Sequence, residues 1–132
     1  MIIKQENFQE RAVRTIKLEA STDFPTGTSY NTGNLPAGAI VLDVNVIVVT
    51  AFNGGGTNAI NIGDQDSATS MGSALNIGSL AKVAGTSPVR KVEAGVNNEV
   101  IIVPTFSSQP TVGEAYVVIE FILPNRALGV YK

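Results

Sequence analysis

The sequence has no cysteine, no histidine and no tryptophan among its 132 residues. Without cysteine it has no disulfide and no thiolate chemistry, and cysteine usage does not indicate a redox compartment. Without histidine it lacks the commonest general base and the commonest zinc ligand. Without tryptophan it lacks an aromatic side chain that is well suited to a sugar-binding platform. These absences disfavour most hydrolases and zinc proteins.

Charge is also scarce, at 15% of residues against roughly 25% in typical soluble domains. No Lys or Arg occurs between Lys17 and Lys82. The net charge of −2 and the pI near 5.0 predict that the chain does not bind nucleic acid. So few charges have two explanations. Part of the surface is covered when the protein functions, or the chain is a β-sandwich whose surface consists of Ser, Thr and Asn.

Long hydrophobic runs are missing as well. The N-terminus carries charge at once and reads as no signal peptide. The longest apolar stretch, Ile40 to Phe52, contains Asp43 and Asn45 and is too short for a membrane-spanning helix. The sequence therefore predicts a soluble chain with no membrane partner.

The segment from Ala39 to Phe52 is the strongest structural signal. Its apolar residues alternate and many are β-branched, which predicts a strand. One face is apolar almost throughout and is predicted to point into a core. The other face begins with polar residues but ends with Ile47 and Val49. A strand that becomes apolar on both faces is predicted to be covered on both sides, by its own chain or by a neighbouring subunit.

Seven or eight such strands, separated by Gly, Pro and Asn turns, predict an all-β fold with no amphipathic helix. We expect a single-domain antiparallel β-sandwich of jelly-roll or Greek-key type. Residues 1–11 are an N-terminal arm or first strand, 12–123 the sandwich and 124–132 a C-terminal tail. The sequence does not give the strand order. The predicted core is Ile16, Leu18, Leu42, Val44, Val46, Val48, Ile60, Ile62, Ile101, Val103, Val117, Ile119 and Phe121.

Two motifs invite chemical interpretations that their surroundings do not support. Asp64-Gln65-Asp66-Ser67 has the spacing of metal ligands, but a calcium loop needs more oxygen ligands, so an Asx-type turn is the better reading. Asn53-Gly54-Gly55-Gly56 lacks the Lys-Ser/Thr and the helix of a phosphate loop, so we expect a flexible connection. No carboxylate pair is marked for catalysis, and a serine nucleophile would have only Lys as its base. We expect no enzyme, no metal and no cofactor.

The two ends of the chain are apolar although they lie outside the main strands. Termini are commonly disordered unless they dock onto something, so these residues predict contacts with the parent sandwich or with another subunit. We expect a homo-oligomer, with a trimer favoured and a dimer next. The predicted subunit or capsid contacts are Ile2, Ile3, Phe8, Ile47, Val49, Leu128, Val130 and Tyr131.

The turn Leu35-Pro36-Ala37-Gly38, the strand from Ile40 to Asn53-Gly54, and the segment Ile60-x-Ile62-Gly63-Asp64 together resemble a family of small tailed-bacteriophage and prophage virion proteins. These are head decoration (cement) or minor head proteins. The resemblance extends over residues 12–123 and includes the closing strand from Ala115 to Phe121. Asn53 stands where the family pattern has Asp, and the glycine run is longer than usual.

The resemblance implies a non-enzymatic shell protein without catalytic residues. It would bind the major capsid protein on the capsid exterior and stabilise the head, after synthesis in the host cytoplasm. The alternative is a phage tail-fibre or receptor- or carbohydrate-binding β-sandwich module. The absence of tryptophan favours the first interpretation, because sugar binders normally present exposed aromatic side chains.

Overall fold

The computed structural model describes residues 11–20 and 25–123. These residues form strands and no helix, so they contain no helix able to cross a membrane. The strands are β1 (Arg11–Glu19), β2 (Tyr30–Asn34), β3 (Ile40–Thr50), β4 (Asn58–Gly63), β5 (Gly72–Asn76), β6 (Ala81–Ala84), β7 (Arg90–Lys91), β8 (Glu99–Phe106) and β9 (Glu114–Ile122).

The strands form two antiparallel sheets. Sheet A has the order β1-β9-β3-β6. The short β7 also pairs with β3, next to the first residues of β3, whereas β6 pairs with its later residues. Sheet B has the order β2-β8-β4-β5. The pairs are nested along the chain: β1 with β9, β2 with β8, β3 with β6 and β7, and β4 with β5. With β6 and β7 taken as one interrupted strand, this is the eight-stranded jelly roll. The predicted all-β antiparallel sandwich is confirmed, and the structure supplies the strand order.

The core lies between the inner faces of the two sheets. Val44 and Val46 of β3 and Ile119 of β9 point inward from sheet A, and Ile60 and Ile102 point inward from sheet B; all five are fully buried. Burying an aliphatic side chain of this size contributes about 1.5–3 kcal/mol. The alternation of these strands therefore determines which face of each sheet is inside.

The inner face of β3 changes at a β-bulge that the alternation does not reveal. Val41 pairs with Phe121, but Asp43 pairs with Glu120, so β3 holds one extra residue between them. A bulge reverses the inside–outside phase of the strand that precedes it. Val41 is buried and Leu42 is only half-buried, so the prediction of Leu42 as a core residue is wrong.

The phase of β8 also differs from the prediction. Val100 and Ile102 are buried, whereas Ile101 and Val103 are half-buried on the outer face, so the prediction of these two as core residues is wrong. Four consecutive β-branched residues contain no polar member that marks the solvent side. Pairing with β4, which places Ile102 opposite Ile62, sets the phase instead. The other predicted core residues are buried, except Ile16, which is half-buried against the core.

Arg14 joins the two sheets at the open side between β1 and β2. It lies on the inner side of β1 and donates hydrogen bonds to the backbone carbonyls of Thr32 and Asn34 in β2. Gly33 has a φ of 122°, and a Cβ there would overlap the Arg14 guanidinium. An inward charge on an edge strand also opposes edge-to-edge aggregation. Arg14 and Gly33 therefore form one structural unit.

Candidate interaction surface

The outer face of sheet A carries a group of apolar side chains that the described chain leaves uncovered. Val13, Ile47 and Val49 are 56%, 39% and 45% exposed, and they are the exposed large apolar residues on the described strands. Tyr116 and Val118 of β9 lie half-buried among them. We call Val13, Ile47, Val49, Tyr116 and Val118 the outer strip.

Strand pairing explains why these residues meet. Tyr116 of the central strand β9 is paired with Lys17 of β1 on one side and with Ile47 of β3 on the other. Val118 is paired in the same way with Thr15 and Asn45. Side chains that are directly opposite on one face of antiparallel strands lie close enough to contact each other. The outer strip therefore runs along β9 and spreads onto both of its neighbours.

An acidic group lies at one end of the outer strip. Glu19 and Glu114 are paired across β1 and β9, and the Lys17 Nζ lies 2.6 Å from Glu19 Oε1 and 3.2 Å from Glu114 Oε1. The hydrogen bond to Glu19, and then the one to Glu114, raises the pKa of Lys17 above its usual value. Two carboxylates share one ammonium here, which leaves one negative charge in excess.

A second acidic group lies at the other end. Glu120 and Asp43 are paired across β9 and β3, and Arg11 Nη1 lies 2.8 Å from Glu120 Oε2. Asp43 accepts hydrogen bonds from the Val44 backbone N–H and the Asn45 side-chain amide, each at 3.0 Å. Arg11 forms an ion pair with Glu120, and the exposed Lys91 of β7 is opposite Ile40, which is itself opposite Ile122, so a second cation lies near this end. The outer strip thus has carboxylates at both ends, and Lys82 of β6 lies opposite Ile47 beside its middle.

The first and last strands of the described sandwich end beside each other at one end of sheet A. Arg11, the first residue of β1, is paired with Ile122, the last residue of β9. Residues 1–10 and 124–132 are therefore joined to neighbouring strands. The predicted contact residues of these segments, Ile2, Ile3, Phe8, Leu128, Val130 and Tyr131, lie outside the described residues. Of the predicted set, the structure places Ile47 and Val49, and both lie on the outer strip.

Asp64 belongs to a structural network. Its Oδ1 accepts the backbone N–H groups of Asp66 and Ser67, each at 2.9 Å, which confirms the predicted Asx-type turn. Its Oδ2 accepts the Ser70 hydroxyl at 2.9 Å and lies 2.9 Å from Arg90 Nη1. Burial lowers the pKa of Arg90, and the Asp64 charge opposes that effect. Within residues 11–20 and 25–123, no three His, Cys, Asp or Glu side chains are grouped so that they could hold a metal.

The glycine-rich connection between β3 and β4 is held by two asparagines. Asn53 Oδ1 accepts the backbone N–H groups of Thr111 and Val112, and Asn58 Oδ1 accepts that of Gly54 at 2.6 Å. The Gly54 carbonyl accepts the Ser108 N–H. These bonds fasten the connection to the β8–β9 loop. The segment links β3 to β4, as predicted, and leads into no helix.

Sequence reasoning missed three members of the outer strip, Val13, Tyr116 and Val118. The alternation of β9 already places Tyr116 and Val118 on the face opposite the core residues. That signal does not say which strand lies beside β9. Only the pairing of β3 with β9 brings Ile47 next to Tyr116 and turns separate apolar residues into one surface.

No protein-family model matches the chain. No curated protein matches it either. Solved structures do, and three of them come from phage capsids. A chain of the cyanophage Pam1 capsid asymmetric unit superposes with a TM-score of 0.70 at 23% identity, over 94% of this chain and 92% of that chain.

The acid-stable capsid of the Helicobacter pylori bacteriophage KHP30 gives a TM-score of 0.58 at 19% identity, over 89% of this chain and 95% of that one. The capsid of Ralstonia phage GP4 gives a TM-score of 0.58 at 16% identity, over 96% of this chain and 91% of that one. The protein therefore shares, over nearly its whole length, the fold of chains found in three phage capsid structures.

Proposed function

We propose that this chain is a non-enzymatic phage virion protein that decorates the outside of the capsid and stabilises it by binding the major capsid protein. The observation that carries the proposal is the fold likeness to chains of three phage capsid structures, which spans nearly all of both chains each time. Jelly rolls are a recurrent architecture of capsid proteins, which supports the same assignment.

The state of the acidic side chains supports a structural role. Asp64 is buried in an ion pair with Arg90 and in a turn. Asp43 accepts a hydrogen bond from the Asn45 side chain, and Glu114 and Glu19 both form ion pairs with Lys17. A general acid or base needs an accessible cleft and a perturbed environment near a second reactive group. These carboxylates are instead engaged in holding strands and turns together.

The mechanism is repeated weak contact over a whole shell. Residues 1–10, which leave the sandwich beside the end of β9, would supply the capsid contact through Ile2, Ile3 and Phe8. A homo-oligomer, a trimer in the first instance, engages several capsid subunits at once, so individually weak contacts become strong through effective concentration. Because few charges are present, apolar burial dominates, and binding depends only weakly on salt.

A tail-fibre or carbohydrate-binding role is the competing assignment, since lectins also use jelly rolls. Sugar-binding surfaces are typically built on exposed aromatic rings. In the part of the chain that the structure describes, every exposed large apolar side chain is Val, Ile or Leu. This surface is better suited to protein contact than to stacking on sugars.

The test is co-sedimentation of the purified protein with expanded capsids that lack it. We expect the wild type to sediment with the capsids and to raise their resistance to heat and chelators. Deletion of residues 1–8 should weaken binding while the far-ultraviolet spectrum stays that of a β-protein. Val112→Ser, at an exposed site in the β8–β9 loop, is the control and should bind as the wild type does. If nothing co-sediments and capsid resistance is unchanged, the decoration role is wrong and the tail-fibre role becomes the better one.

A further inference from the structure

The pattern along the outer face of β9 is charged, apolar, apolar, charged. It consists of Glu114, Tyr116, Val118 and Glu120, at successive outward positions of one strand. The two glutamates are six residues apart, which is about 20 Å along a strand. Glu114 shares the Lys17 ammonium with Glu19, and Glu120 is paired with Arg11 and lies beside Asp43. A ligand that fits this face has two apolar side chains between two cations spaced by that length.

The tail of this chain carries the complementary pattern. Arg126, Leu128, Val130 and Lys132 are spaced by two residues, so an extended segment would present them on one face. The two cations are again six residues apart, and residues 124–132 include no Asp or Glu. The order of charged and apolar side chains is the same in both directions, so the match holds for parallel and antiparallel placement.

We propose that residues 124–132 of one copy bind across the outer strip of a second copy, with Leu128 and Val130 on Tyr116 and Val118 and with Arg126 and Lys132 at the two acidic ends. Packing would cover Ile47 and Val49, which the residues of the described sandwich leave exposed. The contact needs no capsid, so its test is independent of the proposed function.

Chain length favours a second copy over the same copy. The packed tail must stand about 10 Å from the face, the usual spacing of stacked layers. A tail that returns over its own sheet uses about three residues to rise that far, since each residue spans at most about 3.3–3.6 Å. Arg126 would then lie above Leu123, and Lys132 above Val117. Arg126 would thus lie about three residues, or about 10 Å, from Glu120, and Lys132 the same distance from Glu114. The tail of a second copy is not joined to this β9, so it can bind in the matching register.

Exchange of tails explains how a closed oligomer forms. Two copies that exchange tails reciprocally make a dimer, and copies that pass the tail around a ring make a trimer or a larger ring. In both cases every outer strip is covered and every tail is bound.

The first test mixes two defective variants of the full-length chain. Leu128→Asp/Val130→Asp damages the tail, and Ile47→Asp damages the face at an exposed position of β3. Circular dichroism checks that each variant folds. By light scattering, each variant alone should need about tenfold or more higher concentration to associate than the wild type, as expected when central apolar contacts are lost. The 1:1 mixture should form a dimer with one chain of each kind. A wild type that is monomeric at all concentrations, or a tail variant that still assembles normally, would overturn the proposal.

The second test uses the absence of native cysteine. Chains with Tyr116→Cys are mixed with chains carrying Val130→Cys or Leu128→Cys, and a short bismaleimide is added. We expect cross-linked pairs between chains. A higher yield with Leu128→Cys would indicate that the tail binds parallel to β9, and a higher yield with Val130→Cys that it binds antiparallel. Val112→Cys, exposed in the β8–β9 loop, is the matched control and should give only background. Cross-links confined to a single chain that carries both cysteines would show that the tail covers its own face, and the proposal would be wrong.

Discussion

The outer faces of the two sheets differ although the sheets pack on the same core. Sheet A exposes Val13, Ile47 and Val49, whereas no large apolar residue of the sheet B strands is exposed. The strands of sheet B contain five asparagines, and the strands of sheet A contain one. Asparagine is depleted in strands generally, so its enrichment in one sheet needs a specific explanation.

Hydrogen bonding provides that explanation. Four asparagine Oδ1 atoms on sheet B accept backbone N–H groups nearby: Asn31 from Gly33, Asn58 from Gly54, Asn61 from Ala74 and Asn76 from Gly78. Asn31 and Asn61 also flank the half-buried Ile101 and Val103. Sheet B thus satisfies its own turns and shields its apolar residues, as a solvent-facing sheet should. On sheet A, Asn45 and Thr15 lie opposite Val118 in the same way, but Val13, Ile47 and Val49 stay exposed, and contiguous exposed apolar residues are a common feature of interaction sites.

The largest effect should come from a charge on the inner face of sheet A. Val46→Asp places an unpaired carboxylate between the two sheets and should cost about 4 kcal/mol or more of unfolding free energy. Ile47→Asp, one residue later on the outer strip, is the matched control and should cost about 1 kcal/mol or less at a protein concentration where the wild type is monomeric. Urea denaturation measures both. Equal losses would mean that the inner and outer faces of β3 are not as distinct as the structure indicates.

The next effect concerns the ion pair that links a sheet B loop to β7 of sheet A. The Asp64 side chain is 2% exposed and that of Arg90 is 14% exposed. Asp64→Asn leaves a buried guanidinium without its counter-charge and should cost about 3 kcal/mol. Asp66→Asn, in the exposed part of the same turn, should be near neutral. The double variant Asp64→Asn/Arg90→Met should regain most of the loss by thermal denaturation; no recovery would assign the loss to the turn and not to the charge.

A smaller effect tests the Arg14 link between the sheets. Gly33→Ala combines a positive φ with overlap on the Arg14 guanidinium and should cost about 1–3 kcal/mol. Gly27→Ala also has a positive φ but meets no atom within 4 Å, so it isolates the backbone cost. In an Arg14→Ala background the penalty at Gly33 should fall, as a double-mutant cycle would measure. An unchanged penalty would show that the two residues are not coupled.

The smallest effect is the pH dependence of the Lys17 cluster. Its two carboxylate partners raise the pKa of Lys17, so the folded state binds this proton more tightly than the unfolded state does. The stabilisation is fully present below about pH 10.4, the ordinary lysine pKa, and is lost at higher pH. Denaturation of the wild type and Lys17→Gln should therefore differ by a constant small amount from pH 6 to 9 and converge above pH 10.5. Divergence with rising pH would contradict this sign.

The sequence predicted the buried face of a strand best where polar residues mark the side that faces solvent. In β9, charged and aromatic residues alternate with small and branched ones, and the predicted inner residues Val117, Ile119 and Phe121 are buried. In β8, every residue from Val100 to Val103 is β-branched. Apolar and polar residues therefore do not alternate there, and the prediction assigned the wrong face to the core. In β3, the predicted phase was right between the two register shifts, through Val44, Val46 and Val48, and wrong outside them, because a bulge leaves no mark in the pattern of apolar residues.

The sequence by itself determined the all-β class, the strands of the core, the turn at Asp64 and the apolar character of the second face of β3 at Ile47 and Val49. These depend on local chemistry: side-chain alternation, β-branching and the hydrogen-bonding capacity of a short carboxylate. The tertiary structure alone decided the strand order, the bulge at Leu42 and the assembly of the outer strip from β1, β3 and β9. Jelly-roll pairs are distant in sequence, so which strands become neighbours depends on the packing of the whole chain and not on any segment within it.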